Sequence, residues 1–423
     1  MSALITMKNL SLLSQKQKGF SLVEVMIAIL IGLILLTGLI KVFDTSSSLN
    51  RTQNGLARIQ ENGRYAIESM KRNLEQAGYV YCFGRSSQPI APGMIPPKNA
   101  WILDVPAPSL PGFAVGTFDP AFLIHGHECS GGGCNPALNT LGSGADSGIP
   151  AAGISDGDRI IGTDVITVRY LRGSGKEVDS VTGASDSPAN TIYFSQFDQA
   201  NPSATPMPAT GQVLLVGCAE KTPPQLVSVM SASVGEMSVT TTPLAQFGVG
   251  TFTKAFDFQR DFVTVTYYVA NNIVDGRSIP TLYSRINGVV NQVVQGVDAF
   301  DVLYGVKIND GTGGVQYLTA DQVDSLAAIN CSPVPRDVIT SEDILNPAVN
   351  CGWRSVVALD VHLLLNTIFN SSTNPNEQFS YSPYGVGYFN ATDLPAAGTP
   401  SLPRYNMYRK EFYTSVSLKN IVD

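Results

Sequence analysis

Residues 20–40 read FSLVEVMIAILIGLILLTGLI, a run of 21 residues with one charge, Glu24. As a helix the run rises about 31 Å, enough to cross a hydrocarbon core of about 30 Å. Lys16 and Lys18 precede it, and by the positive-inside rule they place the N-terminus in the cytoplasm. A cleaved secretory signal has a shorter apolar region, followed by a small-residue cleavage site. Here the run passes into Lys41-Val42-Phe43-Asp44 without such a site. A plain membrane anchor accounts for the length and the lysines but not for Glu24, because an unpaired carboxylate at bilayer depth costs about 2.5–3.5 kcal/mol on insertion scales.

A cation to meet Glu24 follows from one cut. Cleavage between Gly19 and Phe20 would give Phe20 a free α-amino group, with Glu24 one helical turn further on the same face. The amine of one subunit could then pair with Glu24 of its neighbour in an apolar helix bundle. A misaligned subunit would leave a buried charge unpaired, so the pair would set register.

The stretch Gln17-Lys18-Gly19-Phe20-Ser21-Leu22-Val23-Glu24 resembles the leader junction of type IV pilins and type II secretion pseudopilins: basic residues, Gly, a cleavage point, Phe, and Glu at the fifth mature position. The resemblance implies cleavage after Gly19 by a membrane prepilin peptidase and N-methylation of Phe20. Further on, 56–67 (LARIQENGRYAI) and 75–79 (EQAGY) closely resemble the PilW family of minor pilins, whose nearest relative in build is the J-type secretion pseudopilin. Looser similarity to that family touches 164–170, 211–218, 282–288, 296–305 and the last strand. The spans 84–158 and 370–399 look like insertions on which the family is silent.

Between residues 41 and 78 no proline occurs, and Leu49, Leu56, Ile59, Ile67, Met70 and Leu74 recur at helical spacing. Charged residues fill the other faces, read as solvated. Gly55 and Gly63 are expected to weaken or bend this helix, and Gly78 to cap its end. Residues 79–158 are rich in Pro, Gly, Ser and Ala and read as long loops with a few short strands. Strand patterns follow at 164–172, 191–195, 212–218, 225–230, 237–242, 262–269, 281–285, 299–307, 356–365 and 412–418. Pro280 marks the 281–285 strand as an edge, and 309–314 reads as a turn. The expected fold is α+β and pilin-like: a long N-terminal helix, transmembrane then amphipathic, on a largely antiparallel β-sheet domain with long insertions. The expected segments are a leader over 1–19, a transmembrane part over 20–41, an amphipathic part over 42–78, and a periplasmic or extracellular domain over 79–423.

Charged residues make up 14% of the chain, against about 25% in an average soluble protein, while 44% hydrophobic residues can supply a core. The formal charge is −7, and losing the lysines of 1–19 makes the body more acidic still, which disfavours bulk nucleic-acid binding. The six cysteines, Cys82, Cys129, Cys134, Cys218, Cys331 and Cys351, all follow the apolar run, as in an oxidising compartment. Six cysteines allow 15 connectivities. Cys331 and Cys351 resemble the disulfide-bounded region of many pilins, which would leave Cys82 with Cys218.

The segment HGHECSGGGC at 125–134 is where a metal reading could start. His125, His127, Cys129 and Cys134 could form a tetrahedral zinc set. The competing reading is a Cys129–Cys134 disulfide closing a small loop, which the compartment favours. His362 shares strand parity with Asp360 and reads as part of a solvated face. With three histidines in the chain, a Ser-His-Asp or Cys-His site has little to build on. Arg172-Gly173-Ser174-Gly175-Lys176 fails as a phosphate loop and reads as a turn. No catalytic residue, cofactor or metal is therefore expected.

The expected role is a minor pilin that primes or caps a type IV pilus. It would insert once through the inner membrane with its body in the periplasm, and would end in the extracellular fibre. Its partners would be the prepilin peptidase, the inner-membrane assembly platform, other minor pilins, the major pilin and a tip adhesin. The alternatives are a J-type pseudopilin of a type II secretion system, or a tip adhesin or DNA-uptake subunit.

Overall fold

The computed structural model describes residues 19–81, 123–130, 132–138, 148–182, 189–194, 207–208, 211–217, 225–233, 235–240, 252–308, 314–327, 351–369, 378–383, 388–389 and 406–420. The chain falls into two compact units, 1–54 and 55–423. One helix, Leu22–Leu74, runs through both sequence ranges.

In the first unit every described side chain from 19 to 46 is exposed, including Phe20 and Leu35 at 85% and 68%. The helix is long and apolar enough to cross a membrane. Its two threonines bond within it: Thr37 Oγ1 donates to Leu33 O at 2.7 Å and Thr45 Oγ1 to Lys41 O at 2.8 Å. Neither hydroxyl therefore needs water in an apolar surrounding.

In the second unit the helix buries Ile59, Gly63, Ala66, Met70 and Leu74, a stripe spaced three and four apart. Ile59, Met70 and Leu74 were legible from spacing, whereas Leu49 stays 56% exposed. Asn73 pins the stripe. Its Nδ2 donates to the Tyr267 hydroxyl at 2.6 Å and its Oδ1 accepts from Tyr170 at 2.9 Å. Burial is the main cause that pushes the Tyr267 hydroxyl up to about 12, with the Asn73 bond opposing. The helix ends before Gly78, whose φ of 77° suits glycine as anticipated.

Gly63 is a contact residue rather than a bend. A Cβ there would lie 2.4 Å from the Phe412 ring. Gly63→Leu is expected to destabilise by about 1–3 kcal/mol through overpacking. In denaturant melts, Phe412→Ala should recover part of that loss. Equal losses in both backgrounds would mean that the contact does not carry the effect.

The strands are β1 (Ile124–Ser130), β2 (Gly133–Asn135), β3 (Val165–Leu171), β4 (Lys176–Thr182), β5 (Ala189–Phe194), β6 (Gly211–Val216), β7 (Gln225–Ala232), β8 (Glu236–Thr240) and β9 (Lys254–Asp257). They continue as β10 (Phe262–Val274), β11 (Arg277–Ile286), β12 (Val289–Gln295), β13 (Val297–Lys307), β14 (Val315–Leu318), β15 (Val356–Asn366), β16 (Phe379–Ser380), β17 (Tyr388–Phe389) and β18 (Arg409–Ser417). A six-stranded sheet has the order β12-β11-β10-β3-β1-β2, and a four-stranded sheet β14-β13-β15-β18. All the strand pairs named in these sheets are antiparallel. One core joins the helix stripe to both sheets, through Ile166, Val168, Tyr267 and Leu282 on one and Phe300, Tyr304, Val361 and Val416 on the other.

Two features differ from the sequence reading. First, β4 to β9 close into a barrel, β4-β5-β8-β7-β6-β9, filled by Val178, Ile192, Phe194, Leu215, Val227 and Val239. The barrel interrupts the connection between β3 and β10, which pair directly with each other. Second, β11 is an inner strand although it contains Pro280. The β11–β12 register begins at Thr281↔Gln295, so the proline, which lacks an N–H, sits just past the end of that ladder. Its carbonyl accepts from Gly296 N at 2.7 Å. The described part of 84–158 contains the β1–β2 hairpin, two short strands of the kind expected there, which extends the six-stranded sheet.

Candidate functional site

The helix start is built by its own first turn. Ser21 precedes the first helical residue, and Val23 N donates to Ser21 Oγ at 3.3 Å. Glu24 Oε2 accepts from Ser21 N at 3.1 Å. This is the reciprocal logic of a capping box, with Ser before the helix and Glu at its third position. In the isolated chain Glu24 is thus held by its own backbone, and Gly19 and Phe20 extend from the helix start, both exposed.

The second constellation lies at the β1–β2 hairpin. Register places Cys129 opposite Cys134, and they form a disulfide with Cα atoms 4.0 Å apart. Both sulfurs are therefore unavailable to zinc. His127 is fully buried, and its Nδ1 lies 2.7 Å from Pro136 O. A carbonyl only accepts, so that nitrogen carries the proton, and Nε2 faces His125 Nδ1 at 3.3 Å. The His125 ring packs on Trp353 with centroids 4.8 Å apart. The zinc set considered from the sequence does not form. Cys82, Cys218 and Cys331 lie outside the described residues, as does the side chain of Cys351.

His362 is not on a solvated face. It is 7% exposed, its Nδ1 lies 2.8 Å from Glu411 Oε1, and its ring stacks on Tyr413 at 5.8 Å. The neighbouring strand β18 supplies both partners through the pair His362↔Tyr413. Ser382 Oγ donates to the same Glu411 oxygen at 2.6 Å and lies 3.4 Å from the same ring nitrogen. A nucleophile–base–acid relay needs hydroxyl and acid on opposite ring nitrogens, so the trio pins strands together.

Sequence reasoning missed a group of carboxylates, two buried and one half-buried. Glu128 on β1, Asp164 just before β3 and Asp301 on β13 bring their oxygens within 4.8 Å of one another. Asp164 ties both sheets. Its N–H donates to Phe300 O at 2.8 Å, and its carboxylate accepts from Cys129 N at 3.2 Å and Val302 N at 3.0 Å. Asp301 accepts from the Tyr381 hydroxyl. Burial, then the charges of Asp301 and Asp321, push the Glu128 carboxyl up to about 7. Burial, then Asp301 and Glu128, hold Asp164 well above the usual carboxylate range, against the two N–H donors. Burial, then Asp164 and Glu128, also raise the Tyr304 hydroxyl. The three acids stand far apart in sequence, in strands whose pairing no local pattern encodes.

Two family models match the chain. One, the prokaryotic N-terminal methylation motif, covers residues 14–40. The other, type IV pilus-assembly protein W, covers residues 266–420, that is, nearly all of β10 through β18. The looser similarities at 164–170 and 211–218 fall outside it. No curated protein and no solved structure gives a significant match. The motif and the apolar helix it overlaps fit a membrane-anchored pilin. The chain thus carries the N-terminal methylation motif and, from β10 through β18, a region similar to the PilW family of type IV pilus-assembly proteins.

Proposed function

We propose that this chain is a minor pilin that primes or caps a type IV pilus. It enters the inner membrane with residues 1–19 as a cytoplasmic leader and 20–41 as the single transmembrane part. The amphipathic part, 42–78, leads into a periplasmic body over 79–423. Prepilin peptidase cuts between Gly19 and Phe20 and methylates the new Phe20 amine. The subunit then leaves the membrane and packs its exposed apolar helix against other minor pilins and the major pilin. The observation that carries this reading is an exposed apolar helix face, with a charge at Glu24, inside a methylation motif over residues 14–40. Such a surface is tolerated only in lipid or in a helix bundle.

The role is assembly rather than catalysis. In the fibre, Glu24 exchanges its capping contact with Ser21 for the Phe20 amine of a neighbour. Bulk and long insertions suit a subunit used in few copies at the tip.

The test is the mass of the N-terminal peptide taken from cells. A peptide starting at Phe20 with one added methyl group is expected. A peptide starting at Met1 or Met7 would make the span a permanent anchor and end the assembly reading. Gly19→Ala should slow or stop processing, and a mature-sized protein would refute the cleavage point. Sheared pili should contain the protein. If its deletion stopped enzyme export instead, it would be a secretion pseudopilin.

A further inference from the structure

The carboxylates between the two sheets have no role in helix-driven assembly. We propose that Glu128, Asp164 and Asp301 form a binding site for one hard divalent cation, calcium by its donor set, which ties the β1–β2 hairpin to β13. All three carboxylates lie within 4.8 Å of one another by their ligand oxygens. Calcium sits about 2.3–2.6 Å from each oxygen ligand, so two ligands of one ion stand up to about 5 Å apart, and one ion can touch all three.

The charge balance points the same way. Asp164 and Asp301 are buried, at 2% and 5% exposure, and like charges at this spacing repel strongly in a poorly solvated site. Arg159, a buried cation near Asp164, donates through Nη1 to the Thr163 carbonyl at 3.1 Å, and its charge reaches Asp164 without a direct ion pair. Each Asp164 oxygen takes a single backbone N–H and keeps a lone pair for an ion.

A second observation is independent of the acids. The Tyr304 side chain is fully buried and its hydroxyl has no hydrogen-bond partner among the described residues. It stands against Gly126, where an added Cβ would lie 1.7 Å from the oxygen. Gly126 is two residues before Glu128 on the same face of β1, so the glycine leaves room for a hydroxyl beside the carboxylates. A buried hydroxyl without a partner costs about 1–3 kcal/mol. An ion, or water bound to it, would give this oxygen its missing contact. The donors are all oxygen, which selects calcium-like ions over zinc or copper, and the nearby sulfurs are closed in the Cys129–Cys134 disulfide.

The experiment uses the full-length protein in detergent, stripped with chelator and titrated with calcium in a calorimeter, then with terbium by luminescence. One equivalent of calcium is expected, with a dissociation constant on the order of 0.1–1 mM, as in extracellular modules. Terbium emission should be sensitised by Trp353, whose ring lies 5.1 Å from that of Tyr304. Asp164→Asn and Glu128→Gln should each weaken binding at least tenfold. Glu128 is only half-buried, so its variant should fold even if the Asp164 variant does not. Absence of stoichiometric binding at ten-millimolar calcium would overturn the site and leave shared protons as the explanation. Binding unchanged in Glu128→Gln would place the ion elsewhere and also overturn it.

Discussion

Glu24→Ala should insert into the membrane and be processed, yet fail to enter fibres. Insertion should not suffer, because removing the one charge of the run favours transfer to lipid by about 2.5–3.5 kcal/mol. The lost contact with Ser21 N, 3.1 Å in the wild type, costs about 1 kcal/mol of capping, little against a span of this length. Assembly is different. A desolvated amine left without its carboxylate costs about 3–5 kcal/mol, roughly a hundredfold to a few thousandfold in subunit incorporation. Glu24→Gln should behave similarly, since it keeps the shape and lacks the charge. Immunoblots of membrane and sheared-fibre fractions decide it: equal amounts of wild type and variant in fibres would sink the register role of Glu24.

Asp164→Ala should be among the most destabilising single changes in the body. It strands two buried donors, the N–H groups of Cys129 and Val302. At about 1–3 kcal/mol for each unpaired group, the loss is about 2–6 kcal/mol. Relief of repulsion with Glu128 and Asp301 works in the other direction. It offsets part of that loss, since burial and the neighbouring acids already disfavour the charged form of Asp164. Asp164→Asn keeps one acceptor oxygen and turns an NH2 toward the other N–H, so it should lose about 1–3 kcal/mol, less than alanine. In a Trp101→Phe background, denaturant melts followed by Trp353 fluorescence would measure both. An alanine variant as stable as the asparagine one would show that the two N–H groups find other partners.

Much of this protein was readable along the chain. The apolar run with Glu24, the helix face of Ile59, Met70 and Leu74, and strands such as β10, β13, β15 and β18 depend on periodicity within a few residues. Neighbouring positions report that periodicity directly. The Cys129–Cys134 closure was readable too, since four residues, three of them glycine, separate the two cysteines.

Pairing between distant strands was not readable. Strands β5 to β8 look one by one like the strands of an open sheet, and the barrel closes through β4 and β9, by the pairs Lys176↔Ala255 and Glu177↔Lys254. Gly63 looked like a weak point of the helix until Phe412, far away in sequence, proved to need its space. His362 looked solvated by parity, yet β18 brings Glu411 and Tyr413 onto it. The sequence by itself determined where the chain can span a membrane and which faces its helix and strands present, because those are local properties of side-chain order. Only the tertiary structure decided that Glu128, Asp164 and Asp301 share one buried space, because strand order and register are set by which apolar faces pack together across the whole core.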